Sequence, residues 1–473
     1  MKDVAPNPGA TVPGAAVPEA TVPVTTITDD RMPSFGAAFR VWLRIGLLSF
    51  GGPAGQIALL HREVGDERHW IGERRFLHAL NFCNLLPGPE AQQLATYLGW
   101  LMHGVKGGLA AGTIFIVPGA VVMLALSLIY ALAGQVPVID ALFFGLKSAV
   151  LVFVVEALLR IGRRALKGQA AWALAVAGFV ALFFFHVPFP VVVLASAGIG
   201  FCFPDSFSHG GHGQAKQDRP ALIDAILADD PGRPERLAAG ARRAGLIALV
   251  LWLLPVAYLV LMVGGTFADV AVFFSKMVVV TIGGAYAVLA YVAQDAVETY
   301  HWLAPQEMLA GLGLAETTPG PLILVLQFVG FLAGFRAPGP LTGVAGGIVS
   351  SVLTLWVTFA PCFVFVFLGA PLIERLQSNR LLAGALAAVT SAVVGVVANL
   401  AVWFALHVVF RDHTALHAGP VAIDLPVPAS VDFASLALAV AAAVCLFQLK
   451  LGVLRTLGIT AVLGLIVRTV INI

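Results

Sequence analysis

From residue 36 onward the chain reads as thirteen apolar segments broken by short polar stretches. Their approximate spans are 36–60, 89–105, 108–133, 138–161, 170–185, 187–203, 244–265, 269–293, 318–335, 341–369, 381–410, 432–448 and 451–471. About 20 apolar residues cross a bilayer core, so the pattern predicts an all-α polytopic membrane protein with about 13 transmembrane segments. Segments 170–185 and 187–203 are short and read as one tight hairpin or a single re-entrant feature. Residues 1–34, rich in Pro, Ala, Thr and Val without a helical period, read as a disordered tail. No short apolar core follows Lys2, so no signal peptide is expected. Residues 204–243 are polar and read as a cytoplasmic linker. The predicted division is tail 1–34, N-terminal half 35–203, linker 204–243, connecting helix 244–266 and C-terminal half 267–473.

One stretch, Leu86-Pro87-Gly88-Pro89-Glu90-Ala91-Gln92-Gln93, interrupts this pattern and recurs as Thr318-Pro319-Gly320-Pro321. Pro lacks an amide donor and Gly is conformationally permissive, so the motif breaks a helix, while Pro89 suits the first turn of a new one. Pro87 and Pro319 lie 232 residues apart. The same offset pairs Gly51-Gly52 with Gly283-Gly284, His69-Trp70 with His301-Trp302, Ser49 with Thr281, and Arg44 with Lys276. The chain therefore carries an internal duplication. Seven crossings separate the first and eighth segments, and an odd number turns the second copy over. Two homologous halves as an inverted repeat are a recurring transporter plan, with substrate held where broken helices meet.

Composition agrees with the membrane reading: 59% of the 473 residues are apolar and 11% charged, against about 25% charged in soluble proteins. The net charge of +2 says little about partners. The positions of the basic residues say more. Arg160, Arg163, Arg164 and Lys167 fall on the same predicted side as Lys216, Arg219, Arg233, Arg236, Arg242, Arg243, Arg375 and Arg380. By the positive-inside rule the N-terminus is cytoplasmic and the C-terminus periplasmic. Residues 61–75 disagree, because Arg62, Arg68, Arg74 and Arg75 land on the outer side; either that segment folds back into the protein or the count near it is wrong. Cys83, Cys202, Cys362 and Cys445 lack metal or redox spacing and read as small hydrophobes. No nucleotide or cofactor motif, metal site, nucleic-acid partner or catalytic constellation is read, and no enzyme is expected.

The candidate chemistry suits a tetrahedral oxyanion. Arg44 and Lys276 are cations inside apolar segments, where a functional role is the default; the alternatives are snorkelling or a structural ion pair. Gly51-Gly52 and Gly283-Gly284 break the first helix of each half or permit close packing. Ser49 and Thr281, two residues before them, offer hydroxyls to an anion or to their own helix backbone. Gly88 and Gly320, flanked by Pro87, Pro89, Pro319 and Pro321, bring backbone to the ligand, and Gln92 and Gln93 add side-chain donors. Glu90 is either a favourable acid at a helix N-terminus or a protonatable coupling group. Lys147, paired with Glu156, divides between structure and coupling. Glu316 is a second titrating group or a cap. Asp295, Glu298 and Glu307 are expected in solvent, and His69-Trp70 and His301-Trp302 at the membrane interface.

Ser49-Phe50-Gly51-Gly52-Pro53-Ala54-Gly55-Gln56, followed by Leu86 to Ala95, resembles the signature of the chromate ion transporter family. Gly283-Gly284-Ala285-Tyr286 and Thr318-Pro319-Gly320-Pro321 resemble the second half of its long-chain, two-domain members. The resemblance spans the chain after the tail. It implies a bacterial inner-membrane secondary transporter that exports chromate, a sulfate analogue, and so confers resistance, driven by the membrane potential or proton gradient. Alternatives are uptake of sulfate or another anion, an anion channel, or a scaffold without a transport cycle. The expected partners are a chromate- or sulfate-type oxyanion and the lipid bilayer, with a homodimer allowed.

Overall fold

The computed structural model describes residues 32–134, 136–207, 221–230, 232–281, 285–339, 341–370, 380–418 and 421–471. Nearly all of the tail, Gly283, Gly284, Arg375 and linker residues 208–220 lie outside the described residues.

Each half opens with two short helical hairpins. In the first, α1 (Phe35–Leu48) ends at Ser49, Gly51 turns left-handed at φ +87°, and α2 (Gly52–His61) begins with Pro53 in its first turn. The helices have 14 and 10 residues, about 21 and 15 Å at 1.5 Å per residue. Neither reaches across a core about 30 Å thick. The pair folds back on itself, since Arg44 on α1 lies 3.2 Å from Glu63 just beyond α2. In the second hairpin, α3 (Glu73–Leu85) runs to the Pro-Gly-Pro break and the first arm of α4 (Glu90–Ala133) returns. Phe82 on α3 packs on Tyr97 of that arm, with ring centroids 5.7 Å apart.

Helix α4 then reverses. His103 (φ −126°) and Gly104 (φ +62°) leave the helical region, and the chain turns back along itself as a long second arm. The reversal depends on Gly99 and Gly107. A Cβ on either would lie 2.4 or 2.2 Å from the other's carbonyl oxygen.

The second half repeats the plan. Helices α10 (Gly265–Val280) and α11 (Ala285–Gln294) form its first hairpin; α12 (Pro305–Thr317) and α13 (Val325–Arg336) form its second. Arg336 at the end of α13 donates to the Trp302 carbonyl (2.9 Å) and pairs with Glu307 (2.6 Å), so α12 and α13 start and finish at the same end. The turns after the first hairpins match as well. His69 and His301 are both left-handed, at φ 50° and 52°, and Trp70 and Trp302 donate backbone N–H groups to Val64 and Ala296.

Long helices form the remainder: α5 (Pro137–Ala165), the shorter pair α6 (Gln169–Phe185) and α7 (Phe189–Cys202), α9 (Arg233–Tyr258), α14 (Gly343–Gly369), α15 (Arg380–Val409), α16 (Phe433–Ala443) and α17 (Val453–Ile471). Among the described residues six helices are long and apolar enough to cross a membrane. The first-half hairpins share a core with α8 (Leu222–Asp229) and the end of α14; the rest of the bundle packs around α5 and α10 to α15.

Several expectations change. Segments 36–60 and 269–293 are each two folded-back helices rather than single crossings. Residues 61–85, left open by the sequence, fold back and contain α3, so Arg62, Arg68, Arg74 and Arg75 lie at the end where α1 begins. Linker helix α8 caps that end: Leu222 and Ile223 donate to the His69 and Trp70 carbonyls, and Arg75 pairs with Asp224. The architecture is not purely helical, because β1 (His413–Ala418) and β2 (Val421–Pro426) form an antiparallel hairpin registering His413 with Pro426. Trp70 and Trp302 are buried, and Cys202 is exposed.

Candidate functional site

The hairpin tips meet in the middle of the bundle and cross between halves. The Gly88 N–H donates to the Thr281 carbonyl at 3.1 Å, and the Gly320 N–H donates to the Ser49 carbonyl at 2.8 Å. The offset of 232 residues that maps Gly88 onto Gly320 also maps Ser49 onto Thr281, so each bond is the other with the halves exchanged. Both glycines are left-handed, at φ +109° and +90°, where a Cβ is strained.

Side chains brace the tips. Gln56 donates to the Gly320 carbonyl (2.6 Å) and Gln93 to the Pro87 carbonyl (2.6 Å). Gln92 donates to Thr96 (3.0 Å), and Thr281 donates to Met277 on its own helix (2.6 Å). Pro89, Pro319, Pro321 and Gly52 are buried in these turns. The Ser49 hydroxyl is buried without a hydrogen-bond partner among the described residues. Gln93→Leu keeps the bulk and deletes the donor to Pro87. It should cost about 1 kcal/mol, read as a lower thermal midpoint of the purified protein in detergent.

A cavity of about 350 Å³ reaches the first tip, lined by Pro53, Gly88, Glu90, Arg160, Arg164 and Tyr286 among others. The N-terminus of α4 opens on it at Glu90. First-turn amides lack intrahelical acceptors, and the dipole there is positive, which suits an anion. Arg160 is paired with Glu156 at 3.0 Å. Arg164 forms no such pair among the described residues, and acts electrostatically on Glu90. Tyr286 donates to buried Glu316 at 3.0 Å. The chamber therefore offers two guanidinium groups, a helix N-terminus and a carboxylate, with two further acids behind its wall. That set has the chemistry to hold an oxyanion beside an ionisable carboxyl group.

Several predicted site residues fall elsewhere. Arg44 is half-exposed and pairs with Glu63, which is fully buried and also bound by Arg68 at 2.6 Å. Its counterpart Lys276 is exposed and acts on Asp295, the 232-residue counterpart of Glu63. Arg44 ties α1 to the residue just beyond α2, Lys276 meets Asp295 only through its field, and neither lines the chamber. Gln92 and Gln93 spend their donors inside the fold. Lys147 is not paired with Glu156, which lies nine residues on along α5, about 13 Å up the axis, and is held by Arg160; Lys147 instead lines a second cavity at the opposite end, beside Glu307. Glu307, expected in solvent, pairs with Arg336 there. Gly88 and Glu90 line the chamber, while Glu156 and Glu316 lie behind it as partners of Arg160 and Tyr286. Arg160, Arg164 and Tyr286 were missed as site residues: the arginines read as loop charge, although α5 continues through both.

The chromate transporter family profile matches residues 36–201 and 268–466, one block in each half. A chromate transport protein of Pseudomonas aeruginosa is 33% identical over 77% of this chain and 79% of its own length. The chromate transport protein of Cupriavidus metallidurans is 24% identical over 79% of this chain and 84% of its own. A probable chromate transport protein of Synechococcus elongatus is 25% identical over 76% and 82%. No solved structure matches the chain. With both halves matched around the crossed tips, this chain belongs to the chromate transporter family.

Proposed function

We propose that the protein exports chromate across a bacterial inner membrane as a secondary active transporter, conferring chromate resistance. The observation that carries this reading is the arginine-bearing chamber that ends on the crossed hairpin tips. The end holding Arg160, Arg163, Arg164, Lys167 and the basic start of α9 is cytoplasmic by the positive-inside rule, which leaves the C-terminus periplasmic. Between the two pairs of hairpins run the second arm of α4, then α5, α9 and the α6–α7 pair. The number of passes is odd whether or not that pair crosses, which supports reading the halves as inverted copies. The reciprocal tip bonds are what such symmetry would produce.

Chromate enters the chamber from the cytoplasm and meets Arg164, Arg160 and the amides of α4. An ionised Glu90 repels a dianion, so Glu90 balances Arg164 in the empty site, takes up a proton from the cytoplasm as substrate arrives and returns it to the cytoplasm once the dianion has left. The tips then part, and the dianion leaves outward. An inside-negative potential favours that direction by about 2.3 kcal/mol per charge per 100 mV, roughly 4.6 kcal/mol for two charges, or a little over three decades of concentration.

Everted vesicles energised by respiration test the reading. Wild-type protein should accumulate chromate, Arg164→Ala should lower uptake at least tenfold, and Glu90→Gln should make uptake indifferent to the pH of the bath, which meets the cytoplasmic face, at constant potential. Flux that only equilibrates would show a channel. Sulfate moving in place of chromate would overturn the substrate.

A further inference from the structure

The cavity at the opposite end is the larger of the two, about 720 Å³. Its wall carries three cations, Lys147, Arg336 and Arg468, against two carboxylates, Asp140 and Glu307. Both carboxylates are already committed. Glu307 takes both terminal nitrogens of Arg336, at 2.9 and 2.6 Å, and Asp140 pairs with Arg468 at 3.3 Å. Neither forms an ion pair with Lys147, although both act on it electrostatically. The Lys147 ammonium thus stands mostly buried in a roomy chamber without a counter-ion among the described residues. An amine in that position inside a membrane bundle is costly unless something negative visits it. Tyr130 lines the same wall, with its hydroxyl engaged by Glu307.

Helix α5 joins the two chambers. Lys147 precedes Arg160 by 13 residues on α5, about 20 Å along the axis, with the crossed tips between the chambers. The cavity is much wider than a four-oxygen anion and carries one net positive charge. A dianion would keep part of its water there and be held weakly. That suits release rather than capture.

We propose that this outer cavity is a second binding site for a tetrahedral oxyanion, held by Lys147, from which the exported ion departs. The proposal rests on the export reading for its direction but not for its chemistry. The same site, loaded from outside, should slow transport by occupying the exit.

Full-length protein in nanodiscs, titrated calorimetrically with sodium chromate and separately with sodium sulfate, tests the binding. Wild type should show two classes of site. Lys147→Met should abolish the weaker class and leave the tighter one, Lys147→Arg should restore it, and Arg164→Ala should remove the tighter class alone. Asp140→Asn, which keeps Lys147 and removes one carboxylate from the wall, should tighten the weaker class several-fold. In everted vesicles, chromate preloaded in the lumen should inhibit wild-type uptake and spare Lys147→Met. Two intact classes in Lys147→Met, or a weaker class unmoved by Asp140→Asn, would overturn the outer site and leave the export reading standing. No chromate binding of either class in the wild type would overturn both.

Discussion

Gly119→Ala should lower chromate uptake at least tenfold while the protein still inserts and purifies as a folded species. Gly119 lies on the long arm of α4 against the second tip. A Cβ there would sit 2.0 Å from the Pro319 carbonyl oxygen and 2.5 Å from Leu324 Cδ1. Backbone cannot swing aside as a flexible side chain can, so the tip must move away from α4. Gly320 follows Pro319 directly, and its bond to the Ser49 carbonyl is then lost. Overpacking of this kind costs about 1 to 3 kcal/mol, which a large bundle tolerates even where the transport geometry does not. The matched change Gly88→Ala places a Cβ 3.0 Å from Cys362 Sγ and 3.1 Å from Gln93 Nε2, on a left-handed backbone. It should also impair uptake, less severely, because both neighbours are side-chain ends. Uptake by Gly119→Ala equal to wild type, in vesicles of equal protein content, would show that the tip contact does not govern transport.

The second large effect falls on stability. Glu63 is fully buried between Arg68 at 2.6 Å and Arg44 at 3.2 Å. Glu63→Ala empties a buried position and removes the acid that Arg68 and Arg44 bind, and charged hydrogen bonds of this kind are worth about 1.5 to 3 kcal/mol each. The purified variant should unfold far below the wild-type midpoint or fail to accumulate. Arg44→Ala should be mild by contrast, under about 1 kcal/mol, because its side chain is 52% exposed and water already screens the pair. It should also retain most chromate uptake. A strong transport defect in Arg44→Ala at normal stability would return Arg44 to the substrate path.

How much was legible in the sequence depended on which kind of order each residue obeyed. The duplication was fully visible, since the Pro-Gly-Pro breaks and Gly pairs recur at one offset, and backbone breaks are dictated by residue type alone. The hairpins were not, because an apolar run of 25 residues reads the same whether it crosses or folds back at Gly51. Helix α3, with Arg74, Arg75 and Asn81 among its 13 residues, is too polar and too short for a membrane segment. It is tolerated because it lies against protein. Helix α12 had a usable start signal in Ala304-Pro305 and Glu307, whose carboxylate accepts from the Ala304 N–H at 2.8 Å. Glu90 and Gly88 were found because they sit in the motif. Arg160 and Arg164 were not, because partnership across helices leaves no trace in local spacing; Arg44 likewise gave no sign of the buried acid Glu63 that it meets 3.2 Å away.

The reciprocal tip bonds also bear on how such a molecule can be divided. A single half owns one donor glycine and one acceptor carbonyl, and each is satisfied only by the other half. Two chains cut within residues 208–220 and produced together should reassemble into a working transporter, whereas either fragment alone is left with an orphaned amide and an orphaned carbonyl. Mutual dependence of this kind means that the covalent connection supplies proximity and stoichiometry, while specificity of assembly resides in the loops that cross.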